Sequence, residues 1–323
     1  MIFDFDAYVT AVAFTREGPA FALGDGTVRM GAAEIAAHDG AILAAAVHPS
    51  GEGLVTGGDD GRLVWTRMAG ARELATAPGR WIDAVATAPE SGLIAFSAGR
   101  DLHVLDATDP AFHNLYSHEK SVSGLAFDPK GRRIAAATYG GAALWFARIA
   151  AQKPLLLKWA GSHVALSFSP DGKFLVSSMQ ENQLHGWRLA DAKDMRMGGY
   201  PGKIKSLTFL AKGAAMATSG SAGAVVWPFG GASGPMGRQA SEVGFEEGAM
   251  VTAVAAAPDL SLVAGGLADG RVWVMNIAKG KRVWIRAEKG EAVSALAMAA
   301  NGSAIAWGCE DGAAGVAGTP SLD

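Results

Sequence analysis

The hydrophobic residues of the chain recur in short alternating runs, and each of eight such runs opens a similar stretch of sequence. Most of the runs are followed by a turn that contains Pro or Gly, such as Asp128-Pro129-Lys130-Gly131, and then by a second apolar run. Alternating runs bounded by Gly and Pro are typical of strands joined in hairpins. The pattern therefore predicts eight hairpins, which begin at Val9, Ile42, Ile82, Val122, His163, Ile204, Val251 and Val293.

Further strands extend each hairpin at a regular period. The second run of each unit ends in a turn, and these turns centre on Gly26, Gly61, Asp101, Gly141, Asn182, Gly223, Gly270 and Gly312, with spacings of 35, 40, 40, 41, 41, 47 and 42 residues. A third apolar run follows each turn, and a less regular fourth, such as Arg72-Glu73-Leu74-Ala75, precedes the next unit. Units of about forty residues with four short antiparallel strands are typical of β-propeller blades, which bury both faces of each sheet only by packing against their neighbours.

We predict one all-β domain over residues 1–323, an eight-bladed β-propeller, with seven blades as the alternative. The last unit has room for only three strands, and the apolar and acidic alternation of residues 1–6 can supply the fourth. Such a closing strand would cover two sheet edges that otherwise favour aggregation. The predicted blades span approximately residues 7–37, 38–78, 79–117, 118–158, 159–199, 200–247, 248–288 and 289–323.

The second unit resembles a repeat of the WD40 β-propeller family, in its bacterial, degenerate form. His38, Thr56, Asp60 and Trp65 stand at the spacing of the buried hydrogen-bond tetrad of that family. The resemblance implies that this tetrad is structural, with Asp60 accepting hydrogen bonds from His38 and from the Thr56 hydroxyl and with the Trp65 ring N–H donating into the network. Other units keep only part of the tetrad: His118 with Trp145, Ser178 with Asn182 and Trp187, and Thr218 with Trp227.

The resemblance also implies a binding surface. WD40 proteins mostly bind partners on the side that carries the loop entering strand one and the loop between strands two and three. The partner-binding residues implied there are Trp81, Arg100, Tyr139, Trp159, His163, Gln180, Lys203 and Met250. Aromatic residues and Arg are enriched at binding hot spots. Packing against a neighbouring blade accounts about equally well for Trp81 and Trp159, because Trp is highly buried on average.

The charge of the chain limits its classes of partner, and its cysteine content indicates the cell compartment. The chain has 28 Lys and Arg against 31 Asp and Glu, without a block of one sign, which makes nucleic acid and membrane surfaces poor partners. Cys309 is the only cysteine, and the first six residues carry two acids where a secretory signal would be basic. We expect a cytoplasmic protein that acts as a monomer or within a hetero-complex.

Catalysis is not expected. His38, Thr56 and Asp60 are the residue types of a catalytic triad, but a hydroxyl committed to the tetrad cannot meet a substrate. The seven His show no metal-ligand spacing, so neither a metal nor a cofactor is predicted. The alternatives are a quinoprotein dehydrogenase, which the segment from Asn276 to Trp284 resembles, and a small-ligand site at the channel mouth. The main prediction is a scaffold that binds a protein or peptide.

Overall fold

The alternating sequence pattern produces a chain made almost entirely of β-strands. The computed structural model describes residues 1–322, and Asp323, the last residue of the predicted domain, lies outside the described residues. The described part contains thirty strands and one short 3-10 helix, Ala211–Gly213. Most strands have four to seven residues.

The strands of the first half of the chain are β1 (Ile2–Asp4), β2 (Val9–Thr15), β3 (Gly18–Leu23), β4 (Thr27–Met30), β5 (Ala33–Ala36), β6 (Ile42–Val47), β7 (Leu54–Gly58), β8 (Arg62–Arg67), β9 (Gly70–Thr76), β10 (Ala84–Ala88), β11 (Leu93–Ala98), β12 (Asp101–Asp106), β13 (His113–Ser117), β14 (Gly124–Phe127), β15 (Arg133–Phe146) and β16 (Leu155–Phe168). Those of the second half are β17 (Phe174–Met179), β18 (Leu184–Arg188), β19 (Lys193–Met197), β20 (Leu207–Leu210), β21 (Ala215–Thr218), β22 (Ala224–Pro228), β23 (Ser241–Val243), β24 (Val251–Ala256), β25 (Leu262–Leu267), β26 (Val272–Asn276), β27 (Lys281–Arg286), β28 (Val293–Met298), β29 (Ala304–Cys309) and β30 (Ala313–Gly318).

These strands form seven sheets within the described residues. Six sheets have four strands and one has six, in the orders β2-β3-β4-β5, β6-β7-β8-β9, β10-β11-β12-β13, β14-β15-β16-β17-β18-β19, β20-β21-β22-β23, β24-β25-β26-β27 and β1-β30-β29-β28. The prediction of eight blades is therefore wrong, and the alternative of seven blades matches the sheets.

The difference from the predicted count lies in β15 and β16, which have 14 residues each. The turn expected at Gly141 is instead a register shift inside β15, and Tyr139 still pairs with Ser162 on β16. Gly140 and Gly141 take positive φ angles of 94° and 140°, which glycine adopts without strain, so the strand continues through this point. The six-stranded sheet consequently contains the strands predicted for both the fourth and the fifth blades.

The chain divides into two compact units. Thr15–Phe168 form one unit, and Met1–Phe14 together with the chain from Ser169 onward form the other. In the first unit, β7 and β11 are buried at every position. Successive side chains of a strand point to opposite faces, so both faces of these sheets are covered. Val55, Ile82 and Phe96 belong to one hydrophobic cluster that joins β6–β9 to β10–β13.

The second unit repeats this arrangement with its own sheets. β17 is buried along its whole length, and five of the six residues of β25 are buried. Val272, Val293 and Trp307 lie in one cluster shared by β24–β27 and β28–β30. Each sheet of this cluster is therefore stabilised mainly by the apolar surface that it buries against its neighbour.

Glycines in second strands allow the neighbouring sheets to approach closely. A β-carbon on Gly57 of β7 would lie 2.5 Å from the Ile82 carbonyl oxygen, within the first unit. In the other unit, a β-carbon on Gly266 would lie 2.7 Å from Val293 Cβ, and one on Gly308 would lie 2.5 Å from Val9 Cβ. Such distances are shorter than van der Waals contact, so any larger residue would push the sheets apart. We call these three places the glycine contacts.

The amino-terminal strand completes the last sheet, as the sequence predicts. β1 pairs antiparallel with β30 in the register Ile2↔Gly315, Phe3↔Ala314 and Asp4↔Ala313. The Met1 amino group donates to the Val316 carbonyl at 2.7 Å, and the Phe5 N–H donates to the Gly312 carbonyl at 3.1 Å. The edge of β30 is therefore covered by the other end of the same unit.

Deletion of residues 1–6 should destabilise the protein. The variant loses the hydrogen bonds of β1 to β30, each contributing about 1 kcal/mol, so we expect the free energy of unfolding to fall by about 3 kcal/mol. Urea denaturation measures this change, and light scattering should show faster aggregation through the uncovered edge. The control is Ile2→Ser, because the Ile2 side chain is 76% exposed and its loss leaves the backbone pairing intact. Equal stability of the deletion variant and the wild type would contradict the closing role of β1.

Candidate functional site

A buried polar network lies beside the second sheet. His38, in the loop before β6, donates from Nδ1 to Asp60 Oδ1 at 3.0 Å, and its Nε2 lies 2.9 Å from Thr56 Oγ1. The backbone N–H groups of Asp39 and Arg62 also donate to the Asp60 carboxylate, at 3.1 and 3.0 Å. The network joins the loop before the first strand to β7 and to the turn that follows it, so its geometry is that of a scaffold.

Hydrogen bonding governs the charge of Asp60. Burial alone would raise the pKa of this carboxyl, but the bonds from His38 and from the backbone N–H groups of Arg62 and Asp39 hold the pKa below its usual range. Asp60 thus stays ionised and keeps its acceptors occupied. Every member of the network is committed to a structural bond, which leaves no free nucleophile.

Trp65 does not join this network, and its predicted role in the tetrad is corrected. Its indole N–H donates to the Glu52 carbonyl at 2.7 Å, and its ring stacks on His48 with centroids 3.8 Å apart. The reason is register: Thr56 pairs with Val64, so Trp65, the next residue, projects from the opposite face of the sheet.

The sixth predicted blade contains the tryptophan hydrogen bond that Trp65 does not make. Thr218 is paired with Val225, so Trp227, two residues further on, lies on the same face as Thr218. The Trp227 indole N–H donates to the Tyr200 hydroxyl at 2.6 Å, and that hydroxyl lies 2.7 Å from Thr218 Oγ1. Burial raises the pKa of Tyr200 to about 12. Tyr200 stands 18 residues before Thr218, as His38 does before Thr56, and so replaces the histidine.

His118 and Trp145 interact directly in the fourth predicted blade. The Trp145 indole N–H donates to His118 Nε2 at 3.1 Å, and His118 Nδ1 lies 3.1 Å from the Arg100 carbonyl oxygen. Since a carbonyl only accepts, the proton of the ring is assigned to Nδ1 and Nε2 is the acceptor. Burial lowers the pKa of His118, in keeping with this neutral form.

The predicted partner-binding residues of the first unit differ in exposure. Trp81 and Tyr139 are each 64% exposed, and Arg100 is also exposed, in the turn between β11 and β12. Trp159, on β16, is half-buried. His163 is only 1% exposed, and its Nε2 bonds to the Trp159 carbonyl at 3.1 Å. The predicted surface role of His163 is therefore corrected, because the alternation along β16 turns its side chain inward.

The other unit holds the remaining three predicted residues. Gln180 and Lys203 are exposed, and the Lys203 ammonium donates to Gln180 Oε1 at 3.2 Å. Met250 is half-buried, and its sulfur would lie 2.6 Å from a β-carbon placed on Gly202. Met250 thus packs closely over the loop that carries Lys203.

Tyr139 and Trp159 come together in a cavity of about 640 Å³, which we call the Tyr139 cavity. It lies within the first unit and is lined by residues 117–120, 138–143 and 156–160 with Trp145 and Pro154. Tyr139, Leu156 and Trp159 supply apolar surface, and Leu156 is 55% exposed. Nothing would lie within 4 Å of a β-carbon on Gly140, so the backbone there is open to a ligand. The volume and lining suit a side chain inserted from a partner.

Three charged residues line the Tyr139 cavity: Glu119, Lys120 and Lys158. The lining therefore carries one more positive than negative charge. His118 and Trp145 also line it, and their mutual bond fixes the ring orientation of both. The hydroxyl of Ser117, which also lines the cavity, donates to the Asp101 carboxylate at 2.7 Å.

One side-chain pair of the first unit was missed by the sequence analysis. His103 Nδ1 and His113 Nε2 lie 3.0 Å apart, although the two residues are ten positions apart in the chain. The hairpin β12–β13 brings them together, and only correct register of this hairpin could have revealed the pair. Among residues 1–322, no group of three or more His, Cys, Asp or Glu is arranged to hold a metal ion. No helix in this described part is long and apolar enough to cross a membrane.

Three segments of the chain match the family described as "WD domain, G-beta repeat": residues 32–65, 111–145 and 156–188. Two of them contain the His38 network loop and the His118–Trp145 pair. Telomerase protein component 1 of Mus musculus is 27% identical over 203 residues, which are 61% of this chain and 7% of that protein. The chain thus spans a small part of that relative.

Two solved structures share the fold. The computationally designed Ika8 protein aligns with a TM-score of 0.77 and 19% identity over 98% of each chain. The β-propeller domain of Cps50 (Swd1) from Myceliophteria thermophila aligns with a TM-score of 0.67 and 15% identity, over 91% of this chain and 99% of that one. These similarities show that the fold is a β-propeller.

Asp60→Asn should destabilise the protein in a pH-dependent way. A carboxyl whose pKa is lower in the folded than in the unfolded state contributes stability above its unfolded pKa of about 3.9, and this contribution is lost as pH falls through the folded value. We expect Asp60→Asn to lower the free energy of unfolding by about 1–3 kcal/mol at pH 7, with a smaller difference below about pH 4. Urea denaturation across this pH range measures both.

Asp59→Asn is the matched control for this prediction, because Asp59 is the exposed neighbour of Asp60. It should change stability by less than about 0.5 kcal/mol at every pH. Equal effects of the two substitutions would mean that the His38 network contributes nothing to stability.

Proposed function

We propose that this β-propeller, three segments of which match the WD domain, G-beta repeat, is a non-catalytic scaffold that binds a protein or peptide partner in the Tyr139 cavity. Propellers of this family are generally scaffolds for protein interaction. A site rather than a fold must carry such a function, and the Tyr139 cavity is the site that supports it best.

The observation that carries the proposal is the exposed aromatic surface of this cavity. Tyr139 is 64% exposed, although large aromatic side chains are usually buried, and it shares the cavity with Leu156 and the half-buried Trp159. An exposed apolar group of this kind beside a concave surface is typical of a binding site. Tyr and Trp also contribute large contact areas at low entropy cost, which makes them frequent hot spots.

A rigid frame supports the exposed residues of the cavity. Tyr139 and Leu156 lie on the paired strands β15 and β16, and the His118–Trp145 bond fixes the inner wall. Binding therefore needs little ordering of the scaffold, which lowers its entropy cost. We propose that the partner inserts one apolar side chain between Tyr139 and Leu156.

The hydrogen bonds of the buried polar side chains favour a scaffold over an enzyme. His38, Thr56 and Asp60 are bonded to one another, and His118 is bonded at both nitrogens.

The mouse relative is by its name a protein component of telomerase, and we extend to this chain only the role of a component in an assembly. We propose a cytoplasmic location, in keeping with a single cysteine, Cys309, which is buried.

The test uses peptides selected on the purified protein. A phage library of random peptides is panned on the wild type, and an enriched peptide is synthesised and titrated by calorimetry. Tyr139→Ala should weaken its binding by about 2 kcal/mol, or about thirtyfold, because the variant removes a hot spot.

Trp81→Ala is the matched control, because Trp81 is as exposed as Tyr139 but does not line the cavity. Its affinity for the same peptide should equal that of the wild type, and circular dichroism checks that both variants are folded. The proposal is wrong if no peptide is enriched, or if the enriched peptides bind wild type and Tyr139→Ala equally well.

A further inference from the structure

His103 and His113 form a close pair on the surface of the first unit, apart from the Tyr139 cavity. Their facing nitrogens, Nδ1 of His103 and Nε2 of His113, are 3.0 Å apart. The ring centroids are 5.2 Å apart and the ring planes are parallel within 6°. Because the nitrogens are closer together than the ring centres, the rings meet edge to edge rather than face to face.

The sheet brings the two imidazoles together and fixes one of them. His103 pairs with Leu115 and Leu105 pairs with His113, so the two histidines are diagonal neighbours on one face of β12 and β13. Phe96, the partner of His103 on β11, stacks on its ring at 4.5 Å between centroids. His103 is therefore fixed on one side, while His113 is exposed and free to turn.

A neutral pair of this kind shares one proton, since one imidazole donates to the lone pair of the other. If the donating ring moves its proton to its other nitrogen, both facing nitrogens become acceptors. Such a tautomer change requires no added reagent and releases no proton. The two lone pairs are then available to one cation.

We propose that His103 and His113 are two ligands of one divalent transition-metal ion of the imidazole-preferring class, represented by Cu²⁺ or Ni²⁺. Two nitrogens that are about 2.0 Å from one ion and about 90° apart lie about 2.8 Å from each other, and the facing nitrogens are 3.0 Å apart here. The corresponding tetrahedral separation is larger, about 3.3 Å. The observed spacing lies nearer to the 90° value, which is that of square-planar or octahedral coordination.

Water would complete the coordination. Asp101 lies two residues before His103 on the same strand, but its carboxylate accepts from Ser117 Oγ at 2.7 Å and from Arg80 Nη1 at 3.0 Å. We therefore assign no third protein ligand. A site with two imidazoles and several waters is open to exchange, so the ion binds reversibly and its binding stabilises the hairpin β12–β13.

Electron paramagnetic resonance with Cu²⁺ tests this site directly. Copper is added below one equivalent to full-length, untagged protein in a non-coordinating buffer. The wild type should bind one Cu²⁺ per chain with coupling to two imidazole nitrogens. His113→Gln should weaken binding by about tenfold or more and remove one of the two couplings.

Leu115→Ala is the matched control, because Leu115 is the exposed residue opposite His103 on the same strand as His113 and has no metal-binding atom. It should keep the wild-type affinity and spectrum. His103→Gln should repeat the effect of His113→Gln, and His113→Gln decides the question if His103→Gln does not fold. The proposal is overturned if the wild type shows no two-imidazole signal, or if His113→Gln leaves that signal unchanged.

Discussion

The glycine contacts are the constraint on which the sheet packing depends. In each of them, a β-branched residue that leads into one sheet lies against a glycine in the second strand of the sheet before it: Ile82 against Gly57, Val293 against Gly266 and Val9 against Gly308. The close approach buries both faces of the second strand and lets the side chains of adjacent sheets form one cluster. Glycine weakens a strand by its backbone entropy, and this cost is offset by the apolar area that the approach buries.

This packing also determines which groups remain at the surface. The second strands are largely buried, so the side chains free to bind are those in loops, on the third and fourth strands and at irregular points of the pairing. The Tyr139 cavity lies at such a point, where β15 shifts register between Tyr139 and Gly141. The His103–His113 pair depends on the same frame, because β12 and β13 set the separation of the two rings. The network of His38, Thr56 and Asp60 stabilises the frame, and the polar atoms of these side chains are used in the bonds between them.

The strands, their period and the pairing of β1 with the last sheet can be predicted from the sequence, because they follow from local alternation and from a missing fourth strand. The details that depend on strand register cannot be predicted in this way. A shift of one residue turns Trp65 away from Thr56, and a bulge at Gly141 merges strands that the pattern keeps apart. The burial of His163 and the meeting of His103 with His113 are likewise set by pairing between strands, which no spacing along the chain reveals.

The most direct test of this account is the stability of Gly308→Ala, measured by urea denaturation against Gly198→Ala. A methyl group at Gly308 meets Val9, whereas nothing lies within 4 Å of a β-carbon at Gly198. We predict that Gly308→Ala lowers the free energy of unfolding by about 2–3 kcal/mol, the usual cost of overpacking, and that Gly198→Ala changes it by less than about 1 kcal/mol. Equal stability of the two variants would show that the sheets are not held by the close approach at glycine.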